Sequence, residues 1–218
     1  MTMFDAWNRS DLEVIKNYFE NRLEKNSESY KIVGYGSKES QAIRFKVATE
    51  IGNLHGKSIL DYGCGLGDFI GYLEKRAINV KYTGYDISEK MIKRARKLHP
   101  KHCFEVRDII KEVPNQKFSY IFAIGLNIRI TDNVGFIKEL IRRMFQIAQD
   151  GVFVSLLSSH SEYFDAQSFY HDPALLLDWC LKNITRKCIL RHDYLPHDFA
   201  IYIYKDNVRN GREQSKWV

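Results

Sequence analysis

The run Asp61-Tyr62-Gly63-Cys64-Gly65-Leu66-Gly67 gathers the residue types best suited to holding a ligand. Glycines at alternate positions make a tight turn with exposed backbone, because residues without Cβ accept unusual dihedrals and let a ligand approach the main chain. The spacing restricts the ligand. A dinucleotide turn reads GxGxxG, and counting from Gly63 or Gly65 places Asp68 or Ile70 where the last glycine belongs. The phosphate loop GxxxxGK[ST] is also missing. A turn built for pyrophosphate is therefore disfavoured. The carboxylate ahead of the glycines, Asp61, suits a ligand with a cationic amino acid end.

Two later acids extend the pattern. Asp86 closes Thr83-Gly84-Tyr85-Asp86, 25 residues after Asp61. An acid at the tip of a second strand accepts hydrogen bonds from ribose hydroxyls. Asp108, in Val106-Arg107-Asp108-Ile109, is placed to meet an adenine amino group with Ile109 against the ring.

These groups need a scaffold that brings successive strand ends together. From Lys57 the chain alternates strand and helix: strands over 58–62, 81–86, 103–106, 120–124 and 151–156, helices over 68–76, 89–98 and 133–148. Asp172 and Pro173 form a cap-and-first-turn pair opening a helix to about Leu181. Strands over 185–191 and 200–204 follow with no helix between them, which makes the last one antiparallel. Upstream, Ile43, Val47, Ile51 and Leu54 form one helical stripe with Ser37 or Ser40 as its cap. A weaker periodicity through Leu12, Ile15, Phe19 and Leu23 gives an N-terminal helix, with a loop over 27–37 after it. Alternating strands and helices imply a parallel sheet covered on both faces.

Taken in order, Leu60–Gly67, Gly84-Tyr85-Asp86-Ile87-Ser88 and Arg107-Asp108-Ile109 resemble the nucleoside-binding set of class I S-adenosylmethionine-dependent methyltransferases of small-molecule type. The resemblance covers roughly residues 40 to 156. It implies an α/β fold: a seven-stranded, mostly parallel Rossmann-like sheet with helices on both faces and an antiparallel last strand. It implies S-adenosylmethionine as methyl donor and S-adenosylhomocysteine as product. Gly63, Gly65 and Gly67, with Cys64 in the same turn, would hold the methionine part. Asp61 would receive its amino group, and Gly125 in Ile124-Gly125-Leu126 would flank it. Asp86 would hold the ribose, Ile87 would pack on the adenine, and Asp108 with Ile109 would meet its edge. Related enzymes often place a basic residue on the methionine carboxylate from the helix before the first strand. Arg44 is the candidate, with an ordinary surface arginine as the equal alternative; Gln41 and Tyr35 are placed to line the same mouth.

The acceptor site belongs on the loops above the fourth and fifth strands and on the N-terminal arm. Methyl transfer is an in-line displacement that relies on positioning and a dry pocket, with a base where the acceptor carries a proton. Two segments rich in His and aromatics fit, 158–171 and 191–199. Their histidines, His160, His171, His192 and His197, are candidate bases against a background of ordinary surface histidines, and His192 is the one selected. The Asn/Asp-Pro-Pro-Tyr/Phe motif of amino-methylating nucleic-acid enzymes is absent, since the fourth strand leads into Gly125-Leu126-Asn127. The basic run from Lys90 to Lys101 reads as the solvated face of a helix.

The 218 residues suit one domain, divided here into a helical arm or lid over 1–38, a methyltransferase domain over 39–205 and a polar tail over 206–218. The four cysteines show no paired spacing, so reduced thiols and no metal site are expected. A net charge of +6 permits acidic partners without requiring them. With no apolar run of membrane length and no secretion-type core in Met1 to Glu20, a cytoplasmic location follows. The expected partner is a small-molecule methyl acceptor, with neither nucleic acid nor membrane, and a monomer or homodimer. The competing readings are a nicotinamide oxidoreductase, which the failed GxGxxG opposes, a non-catalytic nucleoside- or RNA-binding module on the same fold, and an RNA or protein methyltransferase.

Overall fold

A computed structural model describes residues 9–206. Three helices lead in: α1 (Arg9–Lys25), α2 (Ser29–Ile32) and α3 (Lys38–Thr49). The alternating part runs β1 (Ser58–Tyr62), α4 (Asp68–Glu74), β2 (Lys81–Asp86), α5 (Glu89–Leu98), β3 (Cys103–Val106), β4 (Phe118–Ile124), α6 (Asn133–Ile147) and β5 (Ala148–Leu157). It closes with α7 (Pro173–Asn183), β6 (Cys188–Arg191) and β7 (Asp198–Tyr204).

The strands form one sheet in the order β3-β2-β1-β4-β5-β7-β6. All pairings are parallel except those of β7, which runs antiparallel to both β5 and β6. The expected mostly parallel, seven-stranded α/β sheet is therefore the observed one. β7 lies between β5 and β6 for a physical reason. It is buried on both faces nearly throughout, whereas β6 is only half-buried and takes the edge.

Alternation along the strands divides the core. Ile59, Phe122, Phe153 and Tyr202 pack on one face with Phe45 of α3 and Phe69 of α4. Their neighbours Leu60, Ile121, Val152 and Ile201 pack on the other with Leu140 and Met144 of α6. Strand order reverses between β1 and β4, which opens a crevice beyond their carboxyl ends.

The caps agree with the sequence. Ser37 Oγ accepts from Ser40 N at 3.0 Å, and Asp172 Oδ1 accepts from Leu175 N at 2.9 Å. Several boundaries moved: α4 ends at Glu74, β5 runs over Ala148–Leu157 and β7 starts at Asp198. The loop expected over 27–37 contains α2, β4 starts at Phe118, and β6 starts at Cys188 because Thr185 is still bonded to the Cys180 carbonyl at the end of α7.

α1 lies across the crevice and is tied to the body at both ends. Asp11 Oδ1 accepts from Thr131 N (3.2 Å) and Oγ1 (2.9 Å), and Glu20 Oε1 accepts from Ser88 Oγ at 2.8 Å. The polar tail expected over 206–218 lies outside the described residues except for Asp206. Among the described residues no helix is long and apolar enough to cross a membrane.

Candidate active site

The glycine turn adopts the backbone that its composition predicts. Gly63 and Gly65 have φ of +76° and +53°, in the left-handed region that disfavours side chains. A Cβ on Gly63 would come within 2.7 Å of Leu126 Cδ2, and one on Gly65 within 2.9 Å of Val33 Cγ1. Leu126, after β4, and Val33, after α2, thus pack directly on the turn, and these two side chains line one cavity together with Gly63 and Gly65.

This first cavity encloses about 1090 Å³ of space open to solvent. One end is polar: Asp61, Asp68, Asp86 and Gln41 surround Gly63 and Gly65. The remainder is apolar, from Ile87 and Met91 to Ile130 and Phe136, and Leu12, Ile15 and Phe19 of α1 form its roof. Among the described residues, three carboxylates and no Lys, Arg or His line it. Such a wall attracts a cationic ligand and repels pyrophosphate.

Each carboxylate is held differently. Asp61 is buried at the end of β1 and accepts a hydrogen bond from Tyr82 Oη at 2.7 Å. Desolvation pushes its carboxyl up to about 7 against the opposing pull of that bond, and Asp86 and Asp68 add repulsion. Asp86 accepts from Gly65 N and from Ser88 N, each at 2.9 Å, and thereby joins the tip of β2 to the turn after β1. Burial raises its carboxyl as well, and those backbone bonds oppose the rise. Asp68, the first residue of α4, accepts from Gln41 Nε2 at 3.0 Å and from Ser29 Oγ. It ties the N-terminal segments to the turn.

A second cavity adjoins the first through shared walls at Phe19, Val33, Tyr35, Gly125 and Asn127. Arg44 and His197 line it, and among the described residues no Asp or Glu does. Arg44 is buried and committed. Nη2 donates to Asp198 Oδ1 at 2.8 Å, Nε is ion-paired with the other carboxylate oxygen, and Nη1 donates to Ser40 O at 3.1 Å and Oγ at 3.0 Å. Its guanidinium also stacks over the Tyr35 ring, 4.9 Å from the centroid.

Of the site residues selected from sequence, Asp61, Gly63, Cys64, Gly65, Asp86, Ile87 and Gly125 meet around the first cavity. Gly67 does not line it and instead caps the start of α4. Asp108 stands one layer back, accepting from Ile110 N (2.9 Å) and from Tyr62 Oη (3.3 Å), while Ile109 is fully buried in the α6-side core. Arg44 lies in the second cavity, which its pairing with Asp198 explains. His192 lines neither cavity: it is exposed, shares a 2.7 Å hydrogen bond with Ser158 Oγ and stacks on Phe199. The Cys64 thiol is inert, since burial holds it well above its usual range.

Other histidines sort clearly. His160 is exposed, His171 is buried and pushed down to about 4 by desolvation, and His197 reaches the second cavity. Sequence reasoning missed Val33, Met91 and Asn127 as cavity walls, and it placed the α1 stripe on an arm or lid without saying which cavity it covers. The stripe was visible as a helix, but a periodicity does not say what its apolar face covers.

The fold is that of a class I, Rossmann-like methyltransferase, and the chain belongs to the methyltransferase domain family, whose model matches residues 53–208. Among relatives, it is 28% identical over 155 residues to "Putative methyltransferase Rv1506c" of Mycobacterium tuberculosis (strain ATCC 25618 / H37Rv), covering 68% of this chain and 93% of that one. Many solved structures share the fold, two of them as follows. Magnesium protoporphyrin IX methyltransferase (ChlM) of Synechocystis PCC 6803 with bound SAM superposes with a TM-score of 0.62 at 13% identity, over 91% of this chain and 99% of that chain. A DhpI-SAM-HEP complex gives 0.69 at 14% identity, over 89% and 98%.

Proposed function

We propose that this protein transfers a methyl group from S-adenosylmethionine to oxygen or nitrogen of a small-molecule acceptor. The observation that carries the reading is the first cavity: left-handed Gly63 and Gly65 face three carboxylates with no basic side chain among them. That wall fits a sulfonium nucleoside bearing an ammonium group. Asp61 receives the amino group, and the backbone at Gly63, Gly65 and Gly125 flanks the methionine part once the Leu126, Val33 and Tyr35 side chains that pack on these glycines shift aside. Asp86, already braced by two backbone amides, offers its remaining lone pairs to the ribose hydroxyls. Ile87, Met91 and Leu126 pack on the adenine. Asp108 acts through Tyr62, which it orients, and Ile109 supports that wall from the core.

Several assignments change in this reading. Arg44 serves the second cavity and not the methionine carboxylate. His192 is not the base. Of the arm expected over 1–38, residues 1–8 lie outside the described residues, and α1 in the rest roofs the donor cavity; residues 39–205 form the catalytic body. The protein works in the cytoplasm as a monomer or homodimer. Methyl-labelled S-adenosylmethionine incubated with the protein and fractionated metabolites, RNA and protein tests the assignment. Label in the small-molecule fraction is expected; label confined to RNA or protein would sink the acceptor class.

A further inference from the structure

From the walls that α1 and the loop after β4 give the first cavity, we infer that the methyl acceptor is an uncharged molecule with an apolar body, held beneath α1 against Ile128 and Ile130. The inference rests on the first cavity being the S-adenosylmethionine site.

Two segments build this part of the cavity. Asp11 on α1 accepts from Thr131 N and Oγ1, which sets Leu12 and Ile15 over the loop that carries Ile128 and Ile130. The polar groups of that loop are satisfied by the protein itself. Asn133 Oδ1 accepts from Ile130 N at 2.9 Å, and its Nδ2 donates to Ile128 O at 2.8 Å. Asn127 gives its amide oxygen to Leu157 N at 3.0 Å. Arg129 lines neither cavity and donates instead to Ala166 O (3.1 Å) and Ser168 O (2.8 Å). The two segments therefore present hydrocarbon to the cavity: Leu12, Ile15, Phe19, Ile128 and Ile130, each only half-buried. The adenine packs on Ile87, Met91 and Leu126, so covering these five side chains falls to the second ligand.

Charge on that ligand is opposed from every side. Asp61, Asp68 and Asp86 line the same cavity and repel an anion. They do not serve an ammonium on the acceptor, since Asp68 is bonded to Gln41 and Ser29 and the other two hold the donor. A charge set against the five side chains sheds its hydration with no partner in return. The second cavity does not supply one. Its cation, Arg44, is neutralised by the buried Asp198 and has its N–H groups committed to Ser40, Asp198 and His197. An uncharged apolar body pays none of these costs and gains with every methylene it buries.

The test uses the full chain saturated with S-adenosylhomocysteine. It is titrated calorimetrically with phenol, 4-ethylphenol, 4-propylphenol and 4-butylphenol, and with tyramine and 4-hydroxyphenylacetate as charged counterparts of 4-propylphenol. Affinity should rise about threefold with each methylene, so that 4-butylphenol binds at least about thirtyfold more tightly than phenol. Both charged probes should bind at least about tenfold more weakly than 4-propylphenol. Ile15→Asn and Ile130→Asn each put an amide among the five side chains and should weaken 4-butylphenol at least about tenfold. Affinity for S-adenosylhomocysteine reports whether each variant keeps its fold; if both lose it, the wild-type series decides alone. Affinity that ignores chain length, a charged probe as tight as 4-propylphenol, or 4-butylphenol affinity unchanged in both folded variants overturns the inference alone. Failure of the wild-type chain to bind S-adenosylhomocysteine overturns the reading beneath it.

Discussion

Replacing Asp61 by asparagine exchanges a buried carboxyl for a neutral amide of nearly the same shape, one that still accepts from Tyr82 Oη. The size of the effect follows from burial. The carboxyl titrates at about 7 in the folded chain against 3.8 without it. One pH unit of separation is about 1.4 kcal/mol, so ionising Asp61 in the folded state costs about 4 kcal/mol more than in the unfolded state. The folded chain holds the extra proton between those two values, so stability falls as pH rises through that window, and the full penalty applies above about pH 7. Asp61→Asn removes the penalty. At about pH 8 the variant should melt about 5–15 °C above wild type, and at about pH 4 the two should nearly coincide. Donor binding should move the other way. Loss of a charge-assisted bond to the amino group weakens S-adenosylmethionine by about 1.5–3 kcal/mol, and wild-type affinity should fall about tenfold per pH unit below about pH 7 as Asp61 takes up its proton. Scanning and titration calorimetry across this range measure both. Equal melting at about pH 8 together with wild-type affinity that ignores pH would refute the reasoning.

Other perturbations probe separate parts of the site. Asp86→Ala frees the Gly65 and Ser88 amides and removes the ribose acceptor, so it should weaken S-adenosylmethionine by about 1–3 kcal/mol in the same titration. Arg44→Ala strands Asp198 as a buried unpaired charge and should cost about 3–5 kcal/mol of stability in denaturant unfolding; a loss near zero would show that the pair is not buried in solution. His192→Ala should leave turnover within about twofold of wild type, since surface changes rarely exceed about 0.5 kcal/mol, and a collapse in turnover would restore it as a base.

The parts of this structure that were legible in sequence are those governed by local chemistry. Hydrophobic period gave the strands and helices, and Ser37 and Asp172 announced their caps. The sixth-position mismatch at Asp68 separated this turn from dinucleotide folds, and Asp86 sits where its place at the tip of β2 required. What stayed hidden depends on contacts distant in the chain. Arg44 could be placed on a helix but not paired, because Asp198 lies 154 residues away. His192 and His197 share one short segment, and only the path of the backbone into β7 decides which faces a cavity. Asp108 was expected on the ligand, yet Tyr62 stands between it and the cavity. The stripe Leu12, Ile15, Phe19 was placed on an arm or lid, but its period did not say which cavity it would roof.

The most direct measurement is a calorimetric titration of the full chain with S-adenosylmethionine, S-adenosylhomocysteine and NADH. The left-handed glycine turn, Asp61, Asp86 and a first cavity that no cation lines among the described residues predict saturable one-site binding of both methyl-cycle ligands and none of the dinucleotide. Binding of NADH, or of neither sulfur nucleoside, would contradict the account.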